Sequence, residues 1–383
     1  MKKKTSSLLI ANFIVVILSG QQNPYKLVTV DGHKMQYQLS GNGRATVVFE
    51  NGFGQTLNDW DNVFFDVAGF AKVIRYDRMG YGGSEATDKP RTFKQIASEL
   101  HDMLHQANMP GPYILVGHSM GAAIIRAFAD QYKGETAGLV LIDPFQEFET
   151  NGVPEEIIAR ENFRGDSAMK TRPPVFMDEF RTLRNEISNG FPEMKSFGPS
   201  PDVPAVLLVG GKGNFINWQK NQFDFFQTKF AGLTDSRMIL IPQSPHYIQG
   251  YDPVAVIESI RRIVFPDPEK ILRKTLLEKG VDATISQYNK LKAYYPKDMT
   301  REQLLNGLGY TALNHGDSKG AIKLLLLNVH LYPGSYNVYD SIAEVYLKTG
   351  NNDEAIKNYR RSYKMNPDNA NAKKMLEQLT SKH

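Results

Sequence analysis

Short apolar runs punctuate the chain up to about residue 241: Thr46–Glu50, residues 72–77, 113–116, 138–143 and 205–209, and Ser236–Ile241. Most of them are almost continuously Val, Ile, Leu, Phe and Tyr, without polar alternation. Strands of that kind are covered on both faces, as in a parallel sheet. The segments between them read as helices. Residues 93–108 place Ile96, Leu100, Met103 and Leu104 at helical spacing, and residues 122–128 form a second helical stretch after the run at 113–116. Strands alternating with helices predict an α/β architecture.

The join between the run at 113–116 and the helix after it is unusual. It reads Gly117-His118-Ser119-Met120-Gly121, a G-x-S-x-G sequence between strand and helix. That context turns a weak five-residue pattern into a nucleophile elbow. The turn is too tight for side chains beside the serine, so glycines stand at Gly117 and Gly121. It lifts Ser119 Oγ clear of the sheet and aims a helix N-terminus at any oxyanion formed there.

From about Tyr25 to Val264 the chain resembles the α/β-hydrolase superfamily. The resemblance rests on Glu50-Asn51-Gly52-Phe53-Gly54, on residues 76–84 (Tyr-Asp-Arg-Met-Gly-Tyr-Gly-Gly-Ser), on the elbow, and on Ser244-Pro245-His246-Tyr247. It implies Ser119 as nucleophile and His246, in the loop after the last core run, as base. The other histidines have plainer readings. His33 lies in an N-terminal turn, His101 and His105 share a helix face, His118 is the variable elbow position, and His315 and His330 lie beyond the hydrolase-like region. Most of the superfamily places the acid after the run at 205–209, where this chain reads Gly210-Gly211-Lys212-Gly213-Asn214. A second branch places it one strand earlier, where Asp143 sits. Asp143 is therefore the expected acid and Glu147 the alternative. The oxyanion hole is expected from the backbone N–H groups of Phe53 and Met120. A serine at the elbow excludes the epoxide-hydrolase and dehalogenase chemistries, which use aspartate there.

Residues 144–204 lack strand-like runs and are rich in Phe, Pro, Glu and Arg, including Phe145, Phe148, Phe163, Phe176, Phe180, Phe191 and Phe197. In the superfamily such an insertion is a helical lid. Its aromatic content suggests an apolar acyl or alcohol group as substrate, or aromatics that fasten lid to core.

Composition narrows the remainder. The 383 residues allow two or more domains, and a net charge of +4 is too small to imply nucleic acid. There is no cysteine, which forbids disulfides and bacterial lipoprotein acylation, and no metal or other cofactor is expected. Residues 1–20 read as a signal peptide or N-terminal anchor: Met1-Lys2-Lys3-Lys4 is basic and residues 8–18 are apolar. The implied localisation is exported, with an uncleaved membrane tether as the alternative to cleavage near Ser19-Gly20-Gln21.

The hydrolase-like region, 25–265, gives way to a repetitive segment, 268–383. Gly316 and Gly350, Ala321 and Ala355, and Pro333 and Pro367 are each 34 residues apart, the tetratricopeptide period. A degenerate copy includes Gly280, Thr284 and Pro296. The segment resembles a tetratricopeptide-repeat array of about two and a half to three helix pairs. It also resembles the repeat tails of bacterial exported serine hydrolases, with Asn337-Val338-Tyr339-Asp340-Ser341 as the most recognisable stretch. It carries 18 Lys and Arg against 12 Asp and Glu, ordinary for a solvated helical face. The expectation is a serine hydrolase acting on an ester or related acyl bond, with the repeats as a peptide-binding or packing module. Two alternatives are a scaffold protein with a vestigial hydrolase domain, and a peptidase, thioesterase or acyltransferase on the same fold.

Overall fold

The computed structural model describes residues 24–148, 173–212 and 218–381. The expected signal segment, Phe163 and Asn214 lie outside these residues. The chain divides into two compact units between Val264 and Phe265.

The first unit is built on an eight-stranded sheet: β1 Tyr25–Val30, β2 His33–Ser40, β3 Thr46–Glu50, β4 Lys72–Tyr76, β5 Tyr113–His118, β6 Thr136–Ile142, β7 Ala205–Gly210 and β8 Ser236–Ile241. Their order is β1-β2-β4-β3-β5-β6-β7-β8. β2 runs antiparallel to both its neighbours, and β4, β3, β5, β6, β7 and β8 are mutually parallel. This is the α/β-hydrolase fold, and it precedes an all-helical second unit.

The absence of polar alternation in the runs has the expected cause. Val48, Leu115, Leu139, Leu141 and Leu207 point into one core with the helices Phe93–Gln106 and Met120–Gln131. Their strand neighbours Val47, Phe49, Ile114, Val116, Val140, Ile142 and Leu208 point into a second core with the helices Asp61–Ala68 and Pro253–Val264. β8 departs from this pattern: as the edge strand it leaves Ile239 and Leu240 exposed. The β1–β2 hairpin was not anticipated as such. Its turn is Asp31-Gly32, both with positive φ (48° and 83°), the requirement of a two-residue primed turn, and His33 opens β2 directly after it.

Register decides where chemistry can gather. Glu50 of β3 lies level with Gly117 of β5, His118 with Ile142 of β6, and Ile142 with Leu208 of β7. The segments that leave the C-terminal ends of these strands therefore meet at one edge, the usual place for a site in a parallel sheet.

The second unit consists of paired helices. Glu302–Asn314 pairs with Ser318–Leu331, and Tyr336–Lys348 with Asn352–Met365; Ala370–Thr380 packs on the end. The first helical stretch, Pro268–Lys292, is broken at Gly280, whose φ of 80° matches Gly316 (83°) and Gly350 (81°). The last two each end the first helix of a pair. Asp317 and Asn351, 34 residues apart, each cap the following helix through the backbone N–H three residues on.

Two glycines of this unit should respond oppositely to a methyl group. A Cβ at Gly307 or at Gly350 would meet nothing within 4 Å, but only Gly350 has positive φ. Gly307→Ala, inside a helix, should stabilise by about 0.5–1 kcal/mol. Gly350→Ala should destabilise by about 1 kcal/mol, the cost of a left-handed non-glycine residue. Denaturant unfolding of the full chain, followed by helical circular dichroism, checks both signs.

Candidate active site

Ser119 has φ 52° and ψ −118°, a strained conformation at the head of the helix Met120–Gln131. Both flanking glycines are sterically required. A Cβ on Gly117 would lie 2.6 Å from the Gly121 carbonyl oxygen, and one on Gly121 would lie 2.6 Å from the carbonyl oxygens of Glu50 and Asn51. The elbow is pinned by Ser119 N–H donating to the Ile142 carbonyl (2.9 Å), while the Ser119 carbonyl accepts from Ala122 and Phe145, each at 3.0 Å.

Asp143 follows β6 and is fully buried. Its Oδ2 lies 2.6 Å from His246 Nδ1. Its Oδ1 accepts from the Gly210 N–H (3.0 Å) and from Trp218 Nε1 (2.9 Å). Both carboxylate oxygens are thus satisfied, and the imidazole is held by one of them. Glu147, the alternative acid, is engaged elsewhere. It takes a two-pronged ion pair from Arg126 (2.7 and 2.8 Å) with Lys229 at 3.4 Å. Burial alone would raise its pKa, but the Arg126 hydrogen bonds and charge outweigh burial and hold it below the ordinary carboxylate value. The structure therefore joins Asp143 to His246 and keeps Glu147 apart.

The two expected oxyanion donors share one local logic. In a trans peptide the C=O and the following N–H point opposite ways. The Gly52 carbonyl accepts from Arg78 Nη2 (2.8 Å) and Gln55 N–H (3.3 Å), which orients the Phe53 N–H away from them. The doubly held Ser119 carbonyl orients the Met120 N–H in the same manner. Met120 is also the first helical residue, where N–H groups lack intrahelical partners.

Residues that motif reading passed over hold this arrangement. Arg78 is fully buried and pairs with Glu50 (2.8 Å) and with both oxygens of Glu179 (2.9 and 3.0 Å), while its Nη1 reaches the Asn51 carbonyl at 2.7 Å. Glu50 also accepts a short hydrogen bond from Tyr76. Burial is the larger influence on Glu50 and raises its pKa against the pull of Arg78. Glu179 comes from the helix Pro174–Ser188, 101 residues away, so no local pattern could have paired it with Arg78. On the far side, His118 Nδ1 meets Gln55 Oε1 (2.9 Å) and His118 Nε2 meets the His246 carbonyl (3.0 Å).

The described aromatics of the expected lid segment divide into two groups. Phe145 and Phe148 pack on buried Phe191, and Phe197 lies in the same core, so these fasten the segment to the sheet unit. Phe176 and Phe180 lie against Phe53, with ring centroids 4.3 and 6.2 Å away. They place apolar surface beside one expected oxyanion donor. An open depression of about 640 Å³ lined by Thr92, Arg181, Thr182 and Glu193 contains none of the expected catalytic residues.

A family model described as the alpha/beta hydrolase fold matches residues 45–189. The chain is 35% identical over 120 residues to an uncharacterized protein, YqjL, of Bacillus subtilis, covering 31% of this chain and 47% of that protein. It is 26% identical over 142 residues to the dihydrolipoyllysine-residue acetyltransferase component of the acetoin cleaving system of Cupriavidus necator, covering 37% and 38% respectively. The chain spans less than half the length of these curated relatives. Among solved structures, an esterase from Exiguobacterium antarcticum gives a TM-score of 0.49 at 18% identity, covering 63% of this chain and 99% of that one. A thermophilic esterase from Thermogutta terrifontis gives 0.45 at 21% identity, covering 62% and 97%.

His118 supplies a pH signature. Two acceptors around its ring would suit an imidazolium, but burial, reinforced by the neighbouring His246, pushes its pKa down to about 3. The unfolded ring titrates near its ordinary value of about 6.5. Below that pH the unfolded chain binds a proton that the folded chain refuses, so stability falls as pH drops from about 6.5 toward 3. Urea unfolding across this range should show a shallower decline in His118→Asn than in the parent. Equal slopes would mean that the ring is charged in the folded protein.

Proposed function

We propose that this chain, which has the α/β-hydrolase fold, is a serine hydrolase that cleaves a carboxylic ester or related acyl bond through an acyl-enzyme intermediate. The reading is carried by the 2.6 Å contact of His246 Nδ1 with buried Asp143, made at the sheet edge where the Ser119 elbow emerges. His246 Nε2 would take the Ser119 Oγ proton as Oγ bonds to the acyl carbon. The Nδ1–H donated to Asp143 would stabilise the resulting imidazolium. The oxygen of the tetrahedral intermediate would accept from the N–H groups of Met120 and Phe53. Its collapse expels the alcohol, which leaves with the His246 proton. Water then attacks the acyl-enzyme along the same path, returning the proton to Ser119 and releasing the acid.

Phe53, Phe176 and Phe180 favour an apolar group on the substrate. The scaffold reading drew on the lack of an acid after β7, and Asp143 supplies a carboxylate that answers it. The helix pairs of the second unit, with their 34-residue spacing of left-handed glycines and capping residues, support a tetratricopeptide-like accessory module for a protein or peptide partner. Export rests on the N-terminal sequence alone; no helix among the described residues is long and apolar enough to cross a membrane.

A panel of p-nitrophenyl esters, an amide and a thioester, together with fluorophosphonate labelling, tests the reaction. Ester hydrolysis should vanish in Ser119→Ala, and the label should sit on Ser119 alone. Asp143→Asn should lower kcat by on the order of 10⁴-fold, whereas Glu147→Gln should change it little. Label elsewhere, or similar small losses in both acid variants, would defeat the assignment. Preference for an acyl acceptor other than water would move the protein to acyl transfer.

A further inference from the structure

His101 and His105 stand one helical turn apart on Phe93–Gln106, with ring centroids 4.3 Å apart. Spacing alone marks only a shared helix face. The third member comes from another element: Glu135, in the turn between the elbow helix and β6. His101 Nε2 lies 3.4 Å from Glu135 Oε1, and His105 Nε2 lies 3.7 Å from Glu135 Oε2. One donor atom from each residue falls within 4.8 Å of the others. Ligands about 2.0–2.2 Å from a tetrahedral ion are separated by about 3.3–3.6 Å, so the two measured spacings are near those of a first coordination sphere.

We propose that His101, His105 and Glu135 bind a single divalent transition-metal ion of zinc type, with water completing the coordination. Three observations beyond proximity support it. His101 Nδ1 lies 3.3 Å from Asp102 Oδ1. A carboxylate on the far nitrogen is the usual partner of a metal-ligating histidine, fixing the tautomer that leaves Nε2 free for the ion. The His101 ring is stacked flat on Tyr132, at 3.7 Å and 4°, which sets its orientation. The Glu135 backbone is held on both sides, its N–H by the Tyr132 carbonyl (3.1 Å) and its carbonyl by the Tyr113 N–H (2.7 Å). The His101 ring and the Glu135 backbone are thus positioned in advance, and the Glu135 carboxylate and the exposed His105 are ordered on binding.

The donor set chooses the ion. Two imidazoles and one carboxylate suit Zn²⁺, Ni²⁺ or Cu²⁺, whereas Mg²⁺ and Ca²⁺ require mostly oxygen. The position chooses the role. The Glu135 carbonyl accepts from the N–H of Tyr113, the first residue of β5, and Ser119 follows the last. The site therefore sits about one strand length, roughly 20 Å, from the elbow. At that distance the ion cannot touch a reacting acyl group. It would clamp the helix Phe93–Gln106 to the turn before β6 and stabilise the folded state by mass action.

The test uses the full chain, metal-free and without a polyhistidine tag, titrated calorimetrically with ZnCl₂ alone. One equivalent should bind saturably, and excess Zn²⁺ should raise the thermal midpoint. Mg²⁺ should do neither. His105→Ala, at an exposed position, and Glu135→Gln, at a partly exposed one, should retain the parent circular dichroism and each weaken Zn²⁺ binding at least tenfold. Asp102→Asn should weaken it by about tenfold, as loss of an outer partner does. Absence of saturable binding, unchanged affinity in either ligand variant, or equal response to Mg²⁺ would overturn the proposal.

Discussion

The arrangement around Ser119 depends on one buried guanidinium. Arg78 has no solvent contact and satisfies its charge with two buried carboxylates and two carbonyls. Those partners belong to β3, to the loop that follows it, and to the helix Pro174–Ser188, so one side chain fixes three separate elements. Arginine suits this role because its planar fork offers five donors in set directions and stays charged even when dry. The reverse also holds: without Arg78 the buried carboxylates of Glu50 and Glu179 would lose their close ion-pair partner. By holding the Gly52 carbonyl, Arg78 governs the direction of the Phe53 N–H, and so acts on the site without reaching it.

Much of the fold could be read from the chain because burial on both faces leaves an unmistakable mark. Val47-Val48-Phe49 and Leu139-Val140-Leu141-Ile142 have nothing polar to place on either side. The elbow was legible because its glycines answer a backbone constraint, visible in the close approaches of Gly117 and Gly121. The 34-residue periodicity foretold the helix pairs in the same way. Choosing between carboxylates was harder. Asp143 and Glu147 both follow β6, and only the fold shows one facing His246 and the other facing Arg126. Glu179 was illegible for a simpler reason: in sequence it is one more acid on an amphipathic helix. Glu135 was equally silent, since its meaning depends on two side chains some thirty residues earlier. The Asp31-Gly32 turn carried a signal that a reading centred on the parallel strands passed over.

The unit also separates its chemistry by the direction of its strands. The C-terminal ends of β3, β5, β6 and β7 bring together the elbow, the Asp143–His246 pair and the peptides of Gly52 and Ser119. The opposite ends carry the histidine–carboxylate cluster. The connecting strands are apolar and close-packed, so neither group of polar residues intrudes on the other. The two edges can therefore answer to different selective demands while sharing one hydrophobic interior.

The pairing of Arg78 with Glu179 has a further consequence, for motion. Lifting the helix Pro174–Ser188 from the core would take from fully buried Arg78 one of its two carboxylates, and loss of a partner from a buried ion pair costs about 3–5 kcal/mol. At about 1.4 kcal/mol per decade, the raised state would hold no more than about one molecule in a hundred, and closer to one in a thousand. On that reckoning the helix Pro174–Ser188 stays seated on the sheet unit through Glu179.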